Sequence, residues 1–380
     1  MYFDYNATAP LRPQARHAMT DAMDLVGNPT SVHAYGRKVR SCIENTRTLL
    51  GDVFGVASKN VIFTSGATEA NNMVIQQHRG PVLVSAIEHD SVFTVRDDVH
   101  VIKVTHEGII DLSHLEILLK KQENEGTPPA LVCVLAAHNE TGIIQPIEEI
   151  MTLCKEYGAM VHIDAVQSFT KTKQAYKGAT SIAISAHKIG GPSGVGALIK
   201  SEKFHPKALI RGGGQERSFR SGTENFLGIT GFGAAVQDAL TDDHVSIQKR
   251  RDSFERELCA FLSDVTIFGK KGERLSNTSN FAMPGKKSEI LLMHFDQKNI
   301  AVSSGAACSS GKVKISRSLK AMGISEDLAK GALRISIGTE TTDHEVACLI
   351  QACKDIFAPS TFNNTLSKSQ SHEDPCQAVA

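Results

Sequence analysis

The stretch SIAISAHKIGGPSGVGALI, residues 181–199, decides how the chain is read. Its first five residues, Ser181 to Ser185, form a short apolar run rich in β-branched side chains, the pattern of a buried strand. The run ends in Ala186-His187-Lys188, and Ile189-Gly190-Gly191-Pro192 turns the chain away. Another strand is expected at about Gly194–Lys200. A lysine amine in such a place can hold an aldehyde as a Schiff base. An isolated lysine in a loop is usually just exposed, so the reading of Lys188 rests on its surroundings.

Outward from Lys188, strands alternate with helices. Asn60–Thr64 reads as a strand that runs straight into Ser65-Gly66-Ala67-Thr68-Glu69-Ala70-Asn71-Asn72, the opening of a helix. A helix start of small residues directs backbone N–H groups and the helix dipole at an anion. Further strands are expected over Pro81–Ile87, Val99–Val104, Ala130–Ala136 and Val161–Ile163. Helices are expected over Gln14–Leu25, Tyr35–Leu50, Leu112–Gln122 and Ile147–Tyr157. Polar residues gather just past the strand ends: Glu88-His89-Asp90, His138-Asn139-Glu140, and Asp164-Ala165-Val166-Gln167. This is the pattern of a doubly wound α/β sheet with a site at its carboxyl edge. A glycine-rich loop over 211–225 carries Arg211, Arg217 and Arg220. One long helical stretch, about Phe226–Leu262, leads to a smaller α/β unit. That unit is expected to hold strands at Thr266–Phe268, Thr278–Ala282, Ile300–Ser303 and Leu333–Ile337. Its helices are expected at Ser288–Asn299, Ser316–Met322 and Thr342–Ile356. The expected division is a large domain over 14–255, a small domain from 1–13 with 256–358, and a polar disordered tail over 359–380.

Composition narrows the function. The chain has 380 residues, 41% hydrophobic and 22% charged, with a formal net charge of zero. That balance is ordinary for a soluble globular protein and points to neither nucleic acid nor membrane as a partner. No apolar run nears the ~18 residues of a membrane span. The opening Met1-Tyr2-Phe3-Asp4-Tyr5 lacks the features of a signal peptide, so a cytoplasmic location is expected. The eight cysteines show neither a C-x-x-C pair nor metal-ligand spacing, so no metal site is expected. Most fit buried small hydrophobes, as Cys133 does within Ala130–Leu135. Cys308 does not: it sits in Ser303-Ser304-Gly305-Ala306-Ala307-Cys308-Ser309-Ser310-Gly311, where small residues suit an exposed loop.

Pyridoxal 5'-phosphate (PLP) asks a protein for a lysine, an acid for its ring nitrogen, a surface for its ring and a phosphate cradle. Lys188 is the candidate lysine and Asp164 the acid. Gln167 is a candidate donor to the ring hydroxyl and His89 a candidate to stack on the ring, while a turn histidine and a capping aspartate stay open as readings of His89 and Asp164; Thr68, Ser185 and His187 offer donors to the phosphate.

The chain resembles the PLP-dependent cysteine desulfurases of the NifS/IscS type, in the fold-type-I, class V aminotransferase-like superfamily. The resemblance runs over about residues 2–356. It is carried by Asp4-Tyr5-Asn6-Ala7-Thr8, Gly27-Asn28-Pro29, Ser31-Val32-His33, the 63–72 stretch, Glu88-His89, Asn139-Glu140-Thr141-Gly142, Asp164–Gln167, Ser185–Lys188, Gly212–Glu216, Arg220–Asn225, Ser304–Gly311 and Leu333–Ser336. It implies a Schiff base at Lys188, with Asp164, Gln167 and His89 around the ring. Ala67, Thr68, Ser185 and His187 would hold the phosphate, with Thr223 reaching the cofactor of a second copy in a homodimer. Asn139 and Arg334 would bind the substrate carboxylate, and Cys308 would take the sulfur of L-cysteine as a persulfide, leaving L-alanine. The long stretch from Cys308 to Arg334 resembles the branch that supplies iron–sulfur cluster assembly, which implies a scaffold protein as sulfur acceptor. A selenocysteine lyase or related class V enzyme, and a non-catalytic paralogue, stay open as alternatives. His138 departs from the family's usual asparagine and is expected to alter the pocket rim. The basic Lys312-Val313-Lys314 is read as a solvated charge run.

Overall fold

The structure is a computed structural model and describes residues 1–174, 176–304 and 315–357. Seven strands make the large sheet: β1 (Val61–Thr64), β2 (Val82–Ser85), β3 (His100–Ile102), β4 (Leu131–Leu135), β5 (Met160–Asp164), β6 (Ser181–Ser185) and β7 (Gly196–Lys200). Their spatial order is β1-β7-β6-β5-β4-β2-β3. Strands β3, β2, β4, β5 and β6 pair in parallel. Strand β7 runs against both neighbours, which leaves β1 pointing the same way as β6. The carboxyl ends of β1, β2, β4, β5 and β6 therefore share one edge, where ligands of open α/β sheets bind.

Both faces of this sheet are covered, which is why β4, Leu-Val-Cys-Val-Leu, is apolar throughout. Alternate side chains feed separate cores. Val132, Val134, Ile163 and Ile182 pack with Ile43, Leu50, Ile150 and Phe232. Leu131, Cys133, Val84 and Ala183 pack with Met73, Val74 and Val92 on the other face.

The second sheet is antiparallel: β8 (Thr266–Ile267), β9 (Thr278–Ala282), β10 (Ser303–Ser304) and β11 (Leu333–Ser336), in the order β10-β11-β9-β8. The N-terminal arm joins it through bridges Tyr2–Ala301 and Asp4–Ser336, and Phe3 is buried in its core.

The mixed α/β architecture agrees with the expectation; several details do not. The single helix expected from 226 to 262 is two, Phe226–Ala239 and His244–Phe261. Asp243 restarts the chain: its Oδ1 accepts from the N–H groups of Val245 and Ser246, both at 3.1 Å. Its neighbour Asp242 is drawn off to Arg12 at 2.5 Å. The short helices Asp90–Phe93 and Glu326–Lys330 went unforeseen because one turn carries no readable periodicity. The strand expected over 300–303 reduces to Ser303–Ser304, since Ala301 pairs with the arm instead.

Two packing features shape the site edge. A Cβ on Gly196 would lie 2.7 Å from Gly66 Cα and 2.6 Å from Ile184 O, so only glycine lets β7 pass this close to the 65–68 turn. The glycine-rich loop is fastened by Glu216, buried with Arg47 in a paired ion bridge of 2.7 Å at each oxygen. Glu216 also accepts from Phe63 N at 2.9 Å, and Arg47 donates to Val61 O at 2.8 Å. Removing Glu216 leaves the buried Arg47 guanidinium with only the partly exposed carboxylate of Glu44, at 3.2 Å. Glu216→Ala is expected to lower the unfolding free energy by up to about 3 kcal/mol, since Glu44 keeps part of the compensation, read as the shift in a denaturation curve; an unmoved curve would mean the pair contributes nothing net.

Candidate active site

At the shared carboxyl edge lies a cavity of about 570 Å³. It brings together Ala67, Thr68, His89, Asn139, Asp164, Gln167, Ser185, His187, Lys188 and Arg334, ten of the twelve residues expected from sequence. Thr223 is exposed and outside this cavity, which a role toward a second copy would require. Cys308 lies outside the described residues, as do Lys312, Val313 and Lys314.

Lys188 closes a single 3-10 turn, Ala186–Lys188, at the end of β6. Its Nζ donates to the carbonyls of Asn6 at 2.7 Å and Ala7 at 2.8 Å, so the N-terminal arm holds the amine over the cavity. Burial, then the charge of Arg334, brings its pKa down to about 8 against the pull of Asp164 and Asp4. His187, beside it, is brought down to about 4 by burial and by Lys188, and so is neutral at pH 7; its Nδ1 lies 3.1 Å from Thr8 Oγ1.

Asp164 ends β5 and is held at both oxygens. Oδ1 accepts from Val166 N at 3.0 Å and Oδ2 from Asn71 Nδ2 at 2.9 Å. Behind Asn71 stands His162, buried and brought down to about 3 by desolvation. Its Nε2 lies 2.9 Å from Asn71 Oδ1 and its Nδ1 lies 2.8 Å from Ser181 Oγ. The neutral ring thus donates from Nε2, and this fixes which end of the Asn71 amide faces Asp164. Asn71 Nδ2 also reaches Ser91 Oγ at 2.9 Å.

Ser91 in turn sets His89, which caps the helix Asp90–Phe93. His89 Nδ1 accepts from Ser91 N at 3.1 Å and lies 2.8 Å from Ser91 Oγ. With Nδ1 accepting, the proton of the neutral ring is assigned to Nε2.

Gln167 donates from Nε2 to Asn6 O at 2.9 Å and accepts at Oε1 from Lys171 Nζ at 3.2 Å. Lys171 is brought down to about 7, first by burial and then by Lys188 and Arg334. Arg334, on β11, donates from Nη2 to Asp4 at 2.6 Å and from Nη1 to Asn139 O at 3.1 Å. Its buried Nε has no partner. His138 does not form the rim as expected. It is buried behind Asn139, with Nδ1 against Thr141 and Nε2 against Ser318 Oγ, both at 2.9 Å. An imidazole in this space meets two hydroxyls, which satisfies both nitrogens without solvent.

The chain matches the family model for aminotransferase class V over residues 1–349. It belongs to that family. Among curated relatives, cysteine desulfurase IscS of Dictyoglomus turgidum is 36% identical over 368 residues, 91% of each chain. Cysteine desulfurase of Cereibacter sphaeroides is 36% identical over 376 residues, 94% of this chain and 95% of that one. The solved NifS-like protein of Rickettsia africae superposes with a TM-score of 0.87 at 35% identity, over 94% of this chain and 99% of that one.

The cavity fits the PLP that this family implies. Lysine amine, buried carboxylate, glutamine amide and imidazole line one space, and the start of the helix Ala67–Ile75 faces it with Ser185 and His187. The unpartnered Arg334 Nε leaves a donor for a carboxylate in the same space. Asn6, Asn71, Ser91 and Lys171 were missed as functional residues. Asn6 and Asn71 lie inside motifs that carry the resemblance, but their partners are far away in sequence.

Only the unprotonated amine attacks an aldehyde. Capture of PLP by the apoprotein, followed by its visible absorbance, is therefore expected to quicken as pH rises to about 8 and then level off. A rate still climbing beyond pH ~10, as for an ordinary lysine, would contradict the desolvated state of Lys188.

Proposed function

We propose that this chain is a PLP-dependent cysteine desulfurase that converts L-cysteine to L-alanine, with sulfur held as a persulfide on Cys308. The carrying observation is the cavity in which Lys188, Asp164, the helix start at Ala67 and Arg334 meet, with Ser303 and Ser304 of β10 in its wall. Cys308 follows Ser304 by four residues, a length of chain that spans at most about 14 Å.

When bound, PLP supplies an electron sink for the bonds to the substrate Cα. Lys188 would tether it, Asp164 would face its ring nitrogen, Gln167 its ring hydroxyl and His89 its ring. Ala67, Thr68, Ser185 and His187 would hold the phosphate, joined by Thr223 of a second copy. Arg334, with one guanidinium N–H unspent, and Asn139 would hold the substrate carboxylate. Lys188 Nζ, its proton affinity lowered by burial, takes the Cα proton. His89 suits the opposite role, because Nδ1 is engaged by Ser91 and Nε2–H is left as a donor. The Cys308 thiolate attacks the substrate sulfur, forming the S–S bond as the Cβ–S bond breaks. That electron pair stays with Cβ, where a proton completes the methyl group, and Lys188 returns its proton to Cα to give alanine.

The persulfide passes to an acceptor protein, such as an iron–sulfur scaffold, in the cytoplasm. Support for a homodimer comes from exposed Val26 and Val32 between the first two helices and exposed Tyr35 at the start of the second. The working division is a large domain over 14–255 and a small one from 1–13 with 256–358. The helix His244–Phe261 crosses that seam, since Ile247 and Phe254 pack in the second core.

Lys188→Ala is expected to lose both turnover and the visible absorbance of bound cofactor. Cys308→Ala is expected to keep that absorbance yet release no sulfide from L-cysteine with a reductant; turnover retained there would remove Cys308 from the reaction.

A further inference from the structure

Ser316, Arg317 and Ser318 stand just before and within the helix Arg317–Ala321, next to the second sheet in sequence, yet all three reach across to the large sheet's edge. Arg317 donates from Nη1 to Asp90 Oδ1 at 2.8 Å and from Nη2 to Glu88 O, and its guanidinium lies 3.8 Å over the ring of Phe93. It thus grips the residues on both sides of His89 and the helix that His89 caps. Ser316 Oγ donates to Glu140 Oε2 at 2.6 Å, and His138 Nε2 lies 2.9 Å from Ser318 Oγ. Those two contacts fall on both sides of Asn139. His138 Nδ1 accepts from Thr141 N at 3.3 Å, so its Nε2–H is the donor to Ser318.

These contacts differ in strength. The Arg317–Asp90 pair is partly exposed and weak as an ion pair. Ser316, Ser318, His138 and Glu140 are all buried, so each needs its partner. None of Ser316, Arg317 and Ser318 lines the cavity. What they hold are the neighbours of two residues that do.

The geometry points to Ser316-Arg317-Ser318 as a positioning tab that sets His89 and Asn139 from outside the site. The inference rests on the proposed desulfurase reading, and it extends that reading to residues with no contact to substrate or cofactor. Arg317 acts through His89 and so on the proton-handling step. Ser318 acts through Asn139 and so on seating the substrate carboxylate.

The test compares holoenzymes carrying Arg317→Ala, Arg317→Lys and Ser318→Ala for alanine formation across L-cysteine concentrations. Arg317→Ala is expected to lower kcat about tenfold or more with little change in KM. Arg317→Lys, a point charge in place of a fork, is expected to recover only part of that loss. Ser318→Ala is expected to raise KM about threefold or more with little change in kcat. Fluorescence titration of the apoproteins with PLP supplies a readout apart from turnover: affinity weakens in Arg317→Ala and is unchanged in Ser318→Ala, because only His89 faces the ring. If Arg317→Ala does not fold, Arg317→Lys carries the same kcat and affinity criteria. Wild-type kcat and PLP affinity in the arginine variants, or kcat and KM falling together in both positions, would overturn the tab. A wild-type enzyme that makes no alanine from L-cysteine would overturn the reaction instead, and the PLP titration would still decide the tab.

Discussion

The carbonyl oxygen of Asn6 accepts from Lys188 Nζ at 2.7 Å and from Gln167 Nε2 at 2.9 Å, and most of the site depends on where that oxygen lies. Asn6 is itself fixed by the second sheet. Its N–H donates to Ser336 Oγ at 2.9 Å, and its side chain joins Thr278 at 2.9 Å, Asn277 at 3.0 Å and the carbonyl of Asn139 at 3.1 Å. A buried asparagine with every group paired has one allowed pose. The arm therefore acts as a rigid spacer between the two sheets, and the lysine is aimed by a segment that lies more than 180 residues away in sequence.

From that constraint the proton economy follows. Burial beside Arg334 keeps Lys188 near neutrality in its titration, and the same burial holds His162 and His187 neutral. A neutral His162 orders Asn71, and Asn71 orders both Asp164 and, through Ser91, His89. Glu88, buried next to these residues, is pushed well up by desolvation and then by the charge of Asp164.

Much of this was legible in sequence because each strand end carries its own polar signal: His89 after β2, Asn139 after β4, Asp164 after β5, Lys188 after β6. Parallel strands bring such signals to one edge without further information. The rest depended on distances through space. Asn6 with Lys188, Asn71 with His162 and Ser318 with His138 lie 182, 91 and 180 residues apart, and no local pattern marks any of these pairings. His138 was misplaced for the same reason: its departure from the family's usual residue was visible, but the hydroxyls that receive it were not. The split at Asp243 was an error of a different kind, in which apolar periodicity on both sides hid a capping aspartate.

In the proposed reaction a lysine-tethered cofactor opens the substrate while Cys308 takes its sulfur. Mass analysis of the peptide containing Cys308, after the holoenzyme meets L-cysteine without reductant, tests this most directly when free alanine is measured in the same sample. The expected result is a gain of one sulfur atom on Cys308 matched by an equal amount of alanine. Alanine formed while Cys308 stays unmodified, or sulfur found on another residue, would contradict it.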